Sequence, residues 1–167
     1  MDKILLPATN ADGLPIVPMS DEQKYTFDLK GWITLPGLLD EEQLDTIRTH
    51  QMKFLYERDS LPLEEQDNHG GPSQILLDHP EAVGVLNEIL SHQGLATEDC
   101  YGFRFDHTYT SHRQTGHDRF NPHGGGGYFN FSGNSHIYQM QMGRIHAGLT
   151  RVVWELNEVE EGDGGTM

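Results

Sequence analysis

The residues with the most chemistry to offer are histidines. The chain of 167 residues carries ten, and six of them fall between His107 and His146. Histidine is the commonest metal ligand and the usual proton carrier near neutral pH. His123 stands out because Gly124 to Gly127 follow it in the stretch NPHGGGGYFNF. Each glycine loses more backbone freedom on folding than any other residue, so such a run is kept where the backbone must come close to something.

Three chemistries compete for this stretch. An oxyanion hole of the lipase kind uses His-Gly-Gly-Gly to present backbone N–H donors. It should follow a buried apolar strand, whereas SHRQTGHDRFNP, which precedes it here, is polar, and no G-x-S-x-G elbow occurs. A zinc site could draw on His107, His112, His117 and His123, but separations of five, five and six residues match no familiar finger and no cysteine pair assists. A non-haem iron site needs two histidines and one carboxylate on one face, with positions left open for co-substrate and O₂. A plain Gly-rich surface turn with an uninvolved histidine stays open beside all three.

Two further stretches favour the iron reading. FDLKGWITLPGLLDEEQLDTIR, from Phe27, has an aromatic residue, Asp-x-x-Gly, an apolar triplet and Pro-Gly-Leu-Leu before a helix. It resembles the N-terminal signature of the phytanoyl-CoA dioxygenase family of Fe(II)/2-oxoglutarate-dependent oxygenases. LTRVVWELNEVEEGDGG, from Leu149, is similar to that family's later strand and acidic, Gly-rich turn. The resemblance spans residues 27 to 165. It implies a double-stranded β-helix (a jelly roll, cupin-like) with N-terminal helices packed on one sheet, and a cytoplasmic enzyme that hydroxylates a small organic substrate with Fe(II), 2-oxoglutarate and O₂, releasing succinate. His123 falls where the family has its first iron-binding histidine. Hydroxyls of Tyr109, Thr110 and Thr150 would bond the 2-oxoglutarate carboxylates. The family's second histidine, in Pro-Gly-Ser-His, and a later arginine would follow Met167, so the domain is expected to be incomplete at its C-terminus and residues 1–167 alone to be inactive.

One departure matters. The family's first histidine is followed two residues later by Asp, and here that position is Gly125. Asp106 or Asp118 could replace the carboxylate. A halide could occupy the freed position, as in the iron-dependent halogenases that carry Ala or Gly there. Or iron binding could be lost, leaving a non-catalytic jelly-roll binding domain.

The elements that would position these residues are legible in part. Residues 1–20 read as an irregular arm and 21–167 as a single domain. Trp32 to Leu35 favour a short strand, and Pro36-Gly37 a turn. Asp40 with Gln43 forms a capping-box pattern opening a helix whose face carries Leu44, Ile47, Phe54 and Leu55. The polar segment 59–74, with its HGGP, is a loop. Asp78 with Glu81 repeats the capping pattern for a second helix, with Val83, Leu86, Ile89 and Leu90, ending near Gly94. YGFRFDHTYT, IYQMQM and GLTRVVWEL predict strands. Arg104 and Asp106 alternate onto one face, so a local ion pair is expected.

Composition narrows the partners. A formal net charge of −15 and a pI near 4.8 argue against nucleic acid and anionic membrane surfaces, which want Lys/Arg clusters. The lone Cys100 fits a reducing compartment. No apolar run approaches the roughly 20 residues that a membrane span requires. The oligomeric state and the substrate carry no signature.

Overall fold

The computed structural model describes residues 6–90, 95–114, 116, 138–142 and 144–160. The chain divides into two compact units, one from residues 1–38, 78–106 and 125–152, the other from 39–77, 107–124 and 153–167.

The first unit holds helices α1 (Asp21–Lys30) and α3 (Pro80–Ile89) and a hairpin of β1 (Tyr138–Gln141) and β2 (Arg144–Ala147). Ser20 caps α1 in a full capping box: its hydroxyl accepts from Gln23 N at 3.1 Å, and Gln23 Oε1 accepts from Ser20 N at 2.8 Å. Gly31, at φ +78°, closes the helix with its N–H on Phe27 O. Only Phe27 of α1 is buried; it packs with Met19 and Ile89, and Ile33, Val85 and Leu90 lean on them. Val83 is fully buried as well. The arm before α1 is irregular but pinned. Asn10 Oδ1 accepts from Asp12 N and Leu14 N, and its Nδ2 donates to Asp78 O at 3.0 Å. The arm then presses on α3 at Gly84, where a Cβ would stand 1.7 Å from Val17 O. The close approach requires glycine.

The second unit is built on α2 (Glu41–Tyr56), followed by 3₁₀ turns at Arg58–Ser60, Leu63–Glu65 and Gly71–Leu77. Asp40 caps α2 as its spacing with Gln43 predicts, with both reciprocal bonds present. Ile47 is wholly buried, and Leu44, Phe54 and Leu55 half-buried.

The expected jelly roll is not what forms. The described residues contain three α-helices and, as strands, only β1 and β2, paired antiparallel with Tyr138 opposite Ala147 and Gln141 opposite Arg144. A mainly β double-stranded β-helix is therefore overturned. The IYQMQM strand is present, but 101–110 and 149–156 run without ladders, as does 32–35. Period-two patterning marks extended backbone, and a strand also needs a partner edge. In 101–110 Gly102 turns to φ +81°, and Phe105 and Tyr109 lie exposed, so the alternation covers no face. Side-chain bonds hold the segment instead: Tyr101 Oη donates to Asp78 Oδ1 at 2.7 Å, and Thr110 N donates to Asn68 Oδ1 at 2.8 Å.

The cap of α3 is a smaller correction. His79, not Asp78, is the N-cap, because Pro80 takes the first helical position, where its missing N–H costs nothing. His79 Nδ1 accepts from Glu81 N and Nε2 donates to Leu38 O, which fixes its tautomer. The helix ends at Ile89, short of Gly94, and 91–94 lie outside the described residues.

Candidate functional site

His123, together with His117, Asp118 and Gly125, lies outside the described residues. The other three expected site residues are described, Tyr109 and Thr110 in the second unit and Thr150 in the first. Tyr109 is 58% exposed. Thr110 is committed to the α2 unit: its Oγ1 donates to Gln51 Oε1 at 2.5 Å and its N–H to Asn68. Thr150 belongs to the first unit, where its buried Oγ1 has no hydrogen-bond partner among the described residues.

Other candidates are also accounted for. Asp106 accepts from Arg104 Nη2 at 3.3 Å, the local ion pair that the alternation predicts. His112 Nδ1 shares a 2.7 Å hydrogen bond with the Tyr56 hydroxyl, and the two rings meet edge to face at 5.8 Å. Among the described residues no group of three His, Cys, Asp or Glu side chains is placed to hold a metal ion. The described residues do not fit an iron centre by themselves.

What the structure does assemble is a buried polar cluster on the inner face of α2. Gln51, 4% exposed, donates from Nε2 to Asn68 O at 2.9 Å and Ser73 Oγ at 2.6 Å while accepting from Thr110. One side chain thereby ties the helix to the 66–73 segment and to 108–110, with Asn68 Nδ2 reaching Thr108 O. Next to it His50, 6% exposed, approaches Glu65 Oε2 at 3.3 Å. The sequence carried a signal for both, because positions 50 and 51 sit one turn after Ile47 on the side facing the core. Polar residues there are easily read as surface.

A second polar node lies in the first unit. Asp78 accepts from Ala11 N and from Tyr101 Oη, both at 2.7 Å. Burial, then the hydrogen bond to Asp78 and that carboxylate's charge, push the Tyr101 phenol well above the usual tyrosine range. It is a structural proton, held on the hydroxyl.

In the second unit the helix that follows the Pro-Gly-Leu-Leu stretch meets the Trp-x-Leu segment. Arg48 donates from Nε and Nη2 to Leu156 O at 3.0 and 2.6 Å, and from Nη1 to Asp45 at 2.9 Å. No helix among the described residues is long and apolar enough to cross a membrane. No protein-family model matches the chain, and neither a curated protein nor a solved structure shows significant similarity to it.

Proposed function

We propose that the protein is an Fe(II)/2-oxoglutarate-dependent oxygenase acting on a small organic substrate in the cytoplasm, with His123 as an iron ligand. The observation that carries the reading is the Arg48 bond to Leu156 O, two residues 108 apart in sequence. The helix of the first motif-bearing stretch and the Trp-x-Leu of the second, which resemble one family in order and spacing, touch through it. A guanidinium fork that donates twice to one carbonyl is a directional contact, not an incidental one. Locally, Gly37 at φ +70° and the Asp40 cap realise the Pro-Gly-Leu-Leu-Asp stretch as a turn into a helix.

The described residues supply no iron ligand set, so their part is positional. Gln51 and Asn68 hold 108–110, and Arg48 holds the backbone at Leu156. Both attachments fix segments that flank the His-Gly stretch in sequence. The chlorinating variant is the second reading, favoured by Gly125 two residues after His123, which leaves a halide room.

The experiment is succinate release from 2-oxoglutarate with Fe(II) and O₂. The full-length protein should release succinate under these conditions. Absence of turnover in the full-length protein, with Fe(II) present and a panel of small organic acids and amines as substrates, would reject the oxygenase reading.

A further inference from the structure

Helix α1 is apolar on two opposite sides. Phe27 is its single buried residue and packs with Met19 and Ile89. Tyr25 and Leu29 stand two residues before and after it, each about 200° away around the helix, so they share the side turned from that core. They are 70% and 68% exposed, and Trp32, just past the Gly31 cap, is 58% exposed. A surface helix ordinarily carries polar residues there. A lone exposed apolar side chain needs no explanation, but a tyrosine, a leucine and a tryptophan on neighbouring turns make a patch. Tyrosine and tryptophan are also among the side chains most enriched where proteins bind one another.

The charges of α1 are sorted by side. Asp21, Glu22 and Asp28 are exposed, and each falls within about 60° of Tyr25 or Leu29 around the helix. Lys24 and Lys30 fall instead on the half that carries Phe27, about 60° to either side of it. Lys24 reaches Glu88 of α3 at 3.1 Å, and Lys30 lies over the Trp32 ring at 5.2 Å. Carboxylates therefore border the exposed Tyr25–Leu29 stripe. What complements it is an apolar ridge running between lysines or arginines. A second copy of the chain would set carboxylates against carboxylates, and the net charge of −15 adds to that repulsion. An anionic lipid surface is repelled for the same reason.

We propose that the outer face of α1, centred on Tyr25, Leu29 and Trp32, docks a basic amphipathic helix of another protein. The face is ready for it, because Ser20 and Gly31 cap both ends of α1 and little backbone freedom is left to lose on binding. The surface is independent of any iron at His123 and stands if the oxygenase reading fails.

The probe is a helical peptide of leucine and lysine, with leucines along one side and lysines on both borders, compared with its counterpart carrying glutamate for lysine. Calorimetric titration of the full chain should show binding of the lysine peptide and none of the glutamate peptide. In a Trp154→Phe background, which leaves Trp32 as the one tryptophan of the sequence, emission should shift to the blue as the ring loses water. Leu29→Ser and Tyr25→Ser should each weaken binding by at least about tenfold with thermal unfolding unchanged. Asp21→Asn, Glu22→Gln and Asp28→Asn together should weaken it and flatten its salt dependence. Glu41→Gln with Glu42→Gln, which removes charge from α2 instead, should leave it as it is and so excludes a general attraction to an acidic chain. Failure of the lysine peptide to bind overturns the proposal, as does binding that survives Leu29→Ser. So does a dimer in sedimentation velocity that Leu29→Ser dissolves, which would make a second copy the occupant. A fall in thermal stability in Leu29→Ser would show that the protein itself already covers this face, and would overturn it too.

Discussion

Replacing Gln51 by alanine should do far more damage than its polarity suggests. The side chain is 4% exposed and makes three hydrogen bonds, to Asn68 O, Ser73 Oγ and Thr110 Oγ1. Each is worth about 1 kcal/mol net, and a buried partner left unsatisfied costs a further 1–3 kcal/mol or so. Ser73 is fully buried, so its hydroxyl has no water to turn to. Adding the small void left by the amide, Gln51→Ala should lose about 3–5 kcal/mol, a large share of the roughly 5–15 kcal/mol that holds a typical domain. Gln51→Glu sharpens the argument. It keeps an acceptor for Thr110 but sets a carboxylate oxygen against the Asn68 carbonyl, so matching the shape should not rescue stability. Urea unfolding at pH 7 measures both variants, and amide exchange at Thr110, whose N–H rests on Asn68 Oδ1, should accelerate in each. A loss below about 1 kcal/mol for Gln51→Ala, with Thr110 exchange unchanged, would show that the 66–73 and 108–110 segments do not depend on this residue.

Two further substitutions probe the first unit. Gly84→Ala ought to gain about 1 kcal/mol of helix propensity, yet its Cβ would meet Val17 O at 1.7 Å and must displace the arm, so a net loss of about 1–3 kcal/mol is expected by urea unfolding, and a net gain would contradict the close approach. Tyr101→Phe removes the Asp78 bond at a cost of about 1 kcal/mol at pH 7. The folded phenol titrates above the unfolded one, so this contribution is fully present below the ordinary tyrosine value of about 10 and is lost as pH rises beyond it. The gap between the wild type and Tyr101→Phe should therefore narrow between pH 9 and pH 11, and a constant gap would count against the Asp78 partnership.

Local chemistry was legible in the sequence and tertiary partnership was not. The Asp40–Gln43 box and the Pro36-Gly37 turn are complete within a few residues, and both form as read. Helix α1 carries the same kind of signal in Ser20, Gln23 and Gly31, but its one buried residue leaves no apolar stripe to draw the eye. At α3 the Asp78–Glu81 spacing misled because Pro80 shifts the cap by one residue, while Asp78 is taken by Ala11 and Tyr101, which lie far off in sequence. The jelly roll failed for the same reason on a larger scale. Alternation in 101–110 and 149–156 specifies extended chain, but only a neighbouring edge makes a sheet, and the bonds that hold Tyr101, Thr110 and Leu156 come from Asp78, Asn68, Gln51 and Arg48. Of the candidate site residues, Thr110 donates its hydroxyl to Gln51, and the His50–Gln51 cluster emerged from polar positions hidden on a helix's inner face.

The central claim is that His123 binds iron, and one comparison tests it most directly. Fe(II) affinity and Fe(II)-dependent succinate release should be measured side by side for the full-length wild-type protein, His123→Ala and His117→Ala. His123→Ala should lose iron binding and turnover while keeping the wild-type unfolding profile, because water cannot replace one of two protein imidazoles without a large fall in affinity. His117→Ala should keep both. Unchanged iron affinity and turnover in His123→Ala would contradict the account and leave the four glycines after it as a surface turn.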